Sequence, residues 1–317
     1  MYRGARMAQM IMEKERSDVA LLTSDRSVWY SVDANLLSSD LSQKFHMTFF
    51  DPASEEFLNN STVLSNSMCL QTYYAIASTF LSIFMSKTNI NGFLNRGGMF
   101  MFSRHQFKEF LDFPDDWIAG DKLILDLGAG DGGVTSVLSE FYSTVHVTEM
   151  SQVMQWRLQQ KGFKLLPADA WANTHNKYNL VCALNLLDRH FSPKMLLRDL
   201  YKVTSESNCL LMMAVVLPVK QYVEFNPSSR STTAETYLPV KGKTFEEQAN
   251  SIVENVFKPA GFELVRWTRV PYLCEGDLNR AYYSLDDAVF LLRPVAREVS
   301  DSEETPEGYQ NVRTEEL

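Results

Sequence analysis

Cysteine is sparse and scattered. Cys69, Cys182, Cys209 and Cys274 are the only four in 317 residues and none forms a Cys-x-x-Cys pair, so neither a disulfide framework nor a zinc site is encoded and no metal is expected. Basic charge is also short. Thirty Lys and Arg stand against 39 Asp and Glu, a net charge of -9, which argues against a surface built to hold nucleic-acid phosphates. No apolar run is long and clean enough to read as a membrane span. The nearest, Met68 to Met85, is interrupted by Gln71, Thr72, Ser78, Thr79 and Ser82, a pattern that favours a buried or amphipathic helix. The first residues, Met1 to Arg6, are followed by polar and charged positions rather than an apolar leader. A cytoplasmic protein without stable membrane insertion is therefore expected. No internal repeat is visible.

What is present is an ordinary globular composition, 45% hydrophobic and 22% charged, enough for one large α/β domain with an N-terminal extension. Residues 1–27 are polar and are expected to be flexible, as is the acidic tail over 297–317. Residues 28–120 read as mostly helical, with helices expected over Phe45 to Leu58 and around Tyr73 to Ser86. From residue 121 to 296 strands and helices alternate, which predicts a parallel sheet covered on both faces. The expected strands are Lys122 to Leu127, Thr144 to Thr148, Phe163 to Pro167, Tyr178 to Leu184 and Leu210 to Leu217. Helices are expected over Gly133 to Phe141, Gln152 to Gly162, Pro193 to Val203 and Thr244 to Ala260. Glu263 to Val270 and Ala288 to Leu292 read as an antiparallel pair closing the sheet.

The most informative segment is Leu123-Ile124-Leu125-Asp126-Leu127-Gly128-Ala129-Gly130-Asp131-Gly132-Gly133. A buried strand runs into a turn whose glycines let backbone approach a ligand closely. Asp126 can organise the turn or accept from an ammonium, and Glu149, closing the next strand, stands where an acid can accept from ribose hydroxyls. The two acids frame a nucleoside. Gly128, Gly130 and Gly133 also satisfy Gly-x-Gly-x-x-Gly, so a dinucleotide-binding fold stays open on the turn alone. Asp126, two residues before the first glycine, and the lack of a second mononucleotide half favour a class I S-adenosylmethionine (SAM)-dependent methyltransferase, a Rossmann-like sheet with an antiparallel closing strand.

Leu184-Asn185-Leu186-Leu187-Asp188-Arg189 follows the fourth expected strand, at a carboxyl end of the sheet where ligands bind in this architecture. Methyl transfer is an in-line displacement, and Asn185 and Asp188 are candidates to orient the acceptor. From spacing alone, a turn cap at Asn185 and a surface ion pair from Asp188 to Arg189 or Arg198 serve equally well. Tyr272 and Tyr283 are expected, with neighbouring acids, in a loop between the closing strands.

Phe84 to Gly92, Arg96-Gly97-Gly98-Met99-Phe100, Asp126 to Gly132, Leu184 to Arg189 and Pro271 to Asp277 together resemble the DREV family of methyltransferases, over about Trp29 to Val295. The resemblance implies a protein-histidine methyltransferase that uses SAM, releases S-adenosyl-L-homocysteine (SAH), and modifies the pros nitrogen of histidines in His-x-His sequences where x is small. It implies cofactor contacts at Asp126, Gly128, Gly130, Glu149 and Met150, and an adenine side at Asp169 and Trp171, although Asp169 stands where Asn is expected. It further implies catalytic roles for Asn185 and Asp188 and a substrate pocket at Arg189, Tyr272 and Tyr283. The expected partners are proteins or peptides bearing His-x-His, not nucleic acid. The chain's own His46, His105, His146, His175 and His190 include no such motif. Relatives tied to the secretory pathway would open with an apolar leader, so the resemblance leaves the endoplasmic reticulum or mitochondrion as alternatives to the cytoplasm. A methyltransferase for another residue or a small molecule, or a silent SAM-binding module, are the competing functions.

Overall fold

The computed structural model describes residues 2–173, 175–226 and 231–296. The segment before the sheet carries α1 (Tyr2–Thr23), α2 (Ser39–Gln43), α3 (Pro52–Asn66), α4 (Met68–Leu81), α5 (Lys87–Phe93), the short strand β1 (Met99–Phe100) and α6 (Arg104–Leu111). The α/β region follows as β2 (Leu123–Leu127), α7 (Gly133–Ser139), β3 (Thr144–Thr148), α8 (Gln152–Gln160), β4 (Lys164–Leu165), β5 (Leu180–Leu184), α9 (Pro193–Ser207), β6 (Leu210–Val216), α10 (Phe245–Ile252), β7 (Phe262–Glu275) and β8 (Tyr282–Pro294).

The eight strands form one sheet in the order β1-β7-β8-β6-β5-β2-β3-β4. Strands β4, β3, β2, β5 and β6 are parallel to their neighbours, and β8 enters antiparallel between β6 and β7. This is the class I methyltransferase arrangement, with β1 added at the edge.

Successive residues of the central strands point to opposite faces, and each face has its own core. Leu125, Val181, Ala183, Leu211 and Met213 pack with Leu196 and Leu200 of α9 and Ile252 of α10. Ile124, Leu180, Cys182, Met212 and Ala214 pack with Phe107 and Phe110 of α6, Leu138 of α7 and Leu158 of α8. Burial on both faces explains why β5 and β6 read as continuous apolar runs. Side chains fix the helix starts: Ser103 and Gln106 form a capping box on α6, and Thr244 and Glu247 another on α10. Pro193 opens α9 and Asn208, at φ 51°, ends it in the left-handed region.

The structure departs from expectation in four places. Residues 2–23 are helical where a flexible terminus was expected. Asp18 accepts from the Ala281 N–H at 2.7 Å and pairs with the buried Lys14, and Leu21 carbonyl accepts from the Tyr282 hydroxyl at 2.9 Å; these long-range partners give the helix the tertiary packing that propensity alone does not supply. The helix expected from Phe45 starts at Pro52, because Pro is tolerated in the first turn but not further in, and Asp51 caps it. The helix expected over Thr244 to Ala260 ends at Ile252 and continues as a π-helical turn over Val253–Phe257. Finally, the closing hairpin is much longer than expected, so that Tyr272 pairs with Leu285 and Cys274 with Tyr283. These tyrosines sit on paired strands rather than in a loop, since aromatic and aliphatic residues favour the pleated surface and no turn residue intervenes before Gly276. Pro271 is accommodated within β7 because β7 pairs with β1 only at Leu273 and Cys274, which leaves its outer edge free of ladder bonds at that position. The expected acidic tail lies outside the described residues.

Candidate active site

At the carboxyl ends of β2, β3 and β5 lies a cavity of about 1150 Å³. Its floor is the turn after β2. Gly128 and Ala129 N–H groups both donate to Thr148 carbonyl, at 3.0 and 3.1 Å, tying the turn to the end of β3. Gly128 and Gly130 have φ of 73° and 56°, a conformation that costs a side-chain-bearing residue about 1–2 kcal/mol. A Cβ added at Gly130 would meet nothing within 4 Å, so the backbone there faces open space.

Two acids flank this turn. Asp126 projects from the β2 face that packs on α7, is buried, and accepts from the Thr135 hydroxyl at 2.6 Å. Burial raises its carboxyl to about 7; the Thr135 hydrogen bond opposes the rise and Glu149 adds to it. Glu149 accepts from three backbone N–H groups, Gly130 at 2.9 Å and Met150 and Ser151 at 2.8 Å each. Burial raises its pKa, and those backbone donors pull it down. Glu149 thus clamps the glycine turn to the start of α8.

The cavity brings together Asp126, Gly128, Gly130, Glu149, Met150, Asp169, Trp171, Asn185, Arg189 and Tyr272, ten of the residues expected from sequence. Asp169 and Trp171 form its far wall with Ala168 and Ala172. The segment before the sheet closes the near side through Thr88, Gly97, Met99 and Met101, and the loop after β6 contributes Glu224 and Phe225. These two covers meet, since the Thr88 hydroxyl donates to Glu224.

Two expected residues are placed differently. Tyr283 is outside the cavity wall, with its hydroxyl donating to Asp277 at 3.0 Å; it shares a sheet face with Tyr272 but lies nearer the hairpin tip, opposite Cys274. Asp188 is 1% exposed and lies behind Arg189, whose Nε is 3.2 Å from Asp188 Oδ2. Burial raises the Asp188 carboxyl and the Arg189 guanidinium lowers it.

Sequence reasoning did not single out Asp287. This acid is fully buried on β8, and its Oδ2 accepts from Asn185 Nδ2 at 2.7 Å. Burial pushes it well above the carboxylate range, Asn185 pulls down, and Asp188 adds to the rise. Burial and then Asp287 also raise the Tyr272 phenol, whose hydroxyl meets Met99 Sδ. The only signal in the sequence was an acid at the head of the apolar run Ala288 to Leu292. Asn185 itself holds φ 53° at the end of β5. Three oxygens of this group, Asn185 Oδ1, Asp188 Oδ1 and Asp287 Oδ1, are buried without a hydrogen-bond partner; of the three residues, Asn185 lines the cavity and the two acids lie behind its wall.

Among the described residues no cluster of His, Cys, Asp and Glu could hold a metal ion, and no helix is long and apolar enough to cross a membrane.

Several solved structures are similar to this chain. Magnesium protoporphyrin IX methyltransferase from Synechocystis PCC 6803 with bound SAH is 14% identical, over 72% of this chain and 100% of its own, with a TM-score of 0.37. The DhpI–SAH complex is 14% identical over 77% of this chain and 100% of its own, with a TM-score of 0.37. The profile of the DREV methyltransferase family matches residues 29–294, most of the sequence. The chain belongs to the DREV methyltransferase family.

Proposed function

We propose that this methyltransferase uses SAM to methylate the pros nitrogen of histidine in His-x-His sequences of proteins or peptides, where x is small. The observation that carries the acceptor side is Asn185 on the cavity wall with Asp188 and Asp287 buried behind it, all three with an unpartnered Oδ1. A neutral imidazole offers one N–H donor and one free lone pair, which suits a site backed by acceptors.

The donor side fits SAM through residues of this chain. In this reading Asp126 would face its ammonium, Glu149 its ribose, and Asp169 and Trp171 its adenine, and the open space at Gly130 supports a nucleoside lying against backbone there. When bound, SAM supplies a methyl group on a positively charged sulfur. Asp188 would accept the tele N–H once Arg189 in front of it makes way, and so fix the tautomer with the pros lone pair free. Asn185 and Asp188 would hold that lone pair toward the methyl group that the bound cofactor would supply. Asp188 also stabilises the imidazolium charge as it develops. Most histidine is neutral above a pKa of about 6.5, so the acceptor needs orientation rather than a strong base. Tyr272 and Arg189 wall the pocket against water.

Incubation with labelled SAM and a His-Ala-His peptide, with mass spectrometry that separates pros from tele methylhistidine, tests the reading. Pros labelling is expected, and labelling of lysine or arginine instead overturns the acceptor assignment.

Asp126 links cofactor binding to pH. With its carboxyl at about 7 in the free protein, much of it is protonated at neutral pH, and the ammonium favours the ionised form. Binding therefore releases a proton below pH 7. SAM affinity is expected to rise with pH up to about 7, by at most about tenfold per unit, and to level off above. Calorimetry in buffers of different ionisation enthalpy reads the proton directly; equal apparent heats in all buffers at pH 6 would count against this role.

A further inference from the structure

The group around Asn185 contains a feature that cofactor binding does not explain. Asp287 lies in the interior of the sheet, paired with Val216 of β6 on one side and Val270 of β7 on the other, where an apolar side chain would avoid the cost of burying a carboxyl. Its one hydrogen bond is to Asn185 Nδ2. Asn185 has its N–H on Ala214 carbonyl at 3.0 Å and its backbone in the left-handed region, so its main chain is held firmly. Its amide plane would still be free to turn over were Asp287 not there, since Oδ1 has no partner. The Asp287 oxygen that takes this bond carries no proton, so it holds nitrogen toward β8 and fixes the orientation of the amide of Asn185, a residue that lines the cavity.

We propose that Asp287 is a positioning residue: its carboxyl holds the Asn185 amide nitrogen and thereby fixes the orientation in which Asn185 meets the acceptor peptide. This rests on the reading of the acceptor as a peptide-borne histidine, in which Asp188 takes the ring N–H and leaves Asn185 to recognise the chain that carries the ring. Recognition of the chain separates a residue in a peptide from the free amino acid. Burial raises the Asp287 carboxyl, and an asparagine matches its shape and keeps one accepting oxygen.

The test is a double-mutant cycle on the full chain. Asp287→Ala and Asn185→Ala are each expected to lower kcat/KM for the peptide by about tenfold or more, chiefly through KM, while SAM affinity stays within about threefold. The double variant is expected to be no worse than Asn185→Ala alone, because Asp287 acts through Asn185. Asp287→Asn is expected to restore activity to within about threefold of the original. Additive losses in the double variant, or full activity in Asp287→Ala, overturn the proposal. Asp287→Val, which suits a strand, takes the place of Asp287→Ala should the latter not fold. Solvent exchange of the Asn185 side-chain amide protons, followed by NMR without any acceptor, gives an independent reading: slow in the original chain and in Asp287→Asn, and about tenfold faster in Asp287→Ala. If the original chain labels no histidine, the histidine reading falls, and the exchange rates still decide for or against Asp287.

Discussion

Replacing Glu149 by alanine is expected to weaken SAM binding by roughly 100-fold or more, the equivalent of about 2.7 kcal/mol. The carboxylate has two tasks that fail together. It accepts from the Gly130, Met150 and Ser151 N–H groups, and a hydrogen bond to a charged group contributes about 1.5–3 kcal/mol. It is also the acid assigned to the ribose. A carboxylate offers about four acceptor positions, and three are already taken, so gripping both ribose hydroxyls exchanges at least one backbone bond for a ligand bond. Glutamine keeps one accepting oxygen and is expected to fall between the two. Calorimetry measures the affinities, and a melting curve separates loss of the site from loss of the fold. An alanine variant that binds SAM within threefold of the original would remove Glu149 from the ribose role.

The second large effect is on turnover. Asp188→Asn is expected to slow methylation of a His-Ala-His peptide by about 100- to 1000-fold, because the amide cannot offset the positive charge that develops on the imidazole. SAM affinity is expected to be unchanged. Stability should move the other way. Burial raises the Asp188 carboxyl in the folded chain, so its contribution to stability falls as pH rises above the unfolded carboxylate range of about 4. A neutral amide escapes that fall, and the variant is expected to melt no lower than the original at pH 7.5. Single-turnover kinetics with matched melting curves check both halves. Full turnover by a folded Asp188→Asn protein would sink the proposed role.

The parts of the site legible in the sequence are those confined to one strand-turn-helix-strand unit. Asp126, Gly128, Gly130 and Glu149 fall within 24 consecutive residues, where the alternation of strand and helix dictates that a turn and the end of the next strand come together. The two-faced burial of β5 and β6 was equally readable as unbroken apolar runs. Tyr272 and Tyr283 show the limit. Both were expected beside the acceptor, yet only Tyr272 lines the cavity. The two share a sheet face, since Tyr272 pairs with Leu285 and Tyr283 with Cys274, but Tyr283 sits nearer the hairpin tip, and how far along the hairpin the cavity reaches is not encoded locally.

Local sequence, then, determined the methyltransferase-type sheet, the glycine turn and its two acids, since each rests on periodicity and on neighbours close along the chain. Tertiary structure alone decided how the far side of the cavity is built. Asp287 reaches Asn185 across 102 residues because β8 folds back beside β6, and Thr88 meets Glu224 across 136. No short-range pattern encodes such contacts. They follow from the order of strands in the sheet and from burial shared by elements far apart in the chain, which also leaves acceptor oxygens on Asn185, Asp188 and Asp287 without partners beside the turn that the sequence announced.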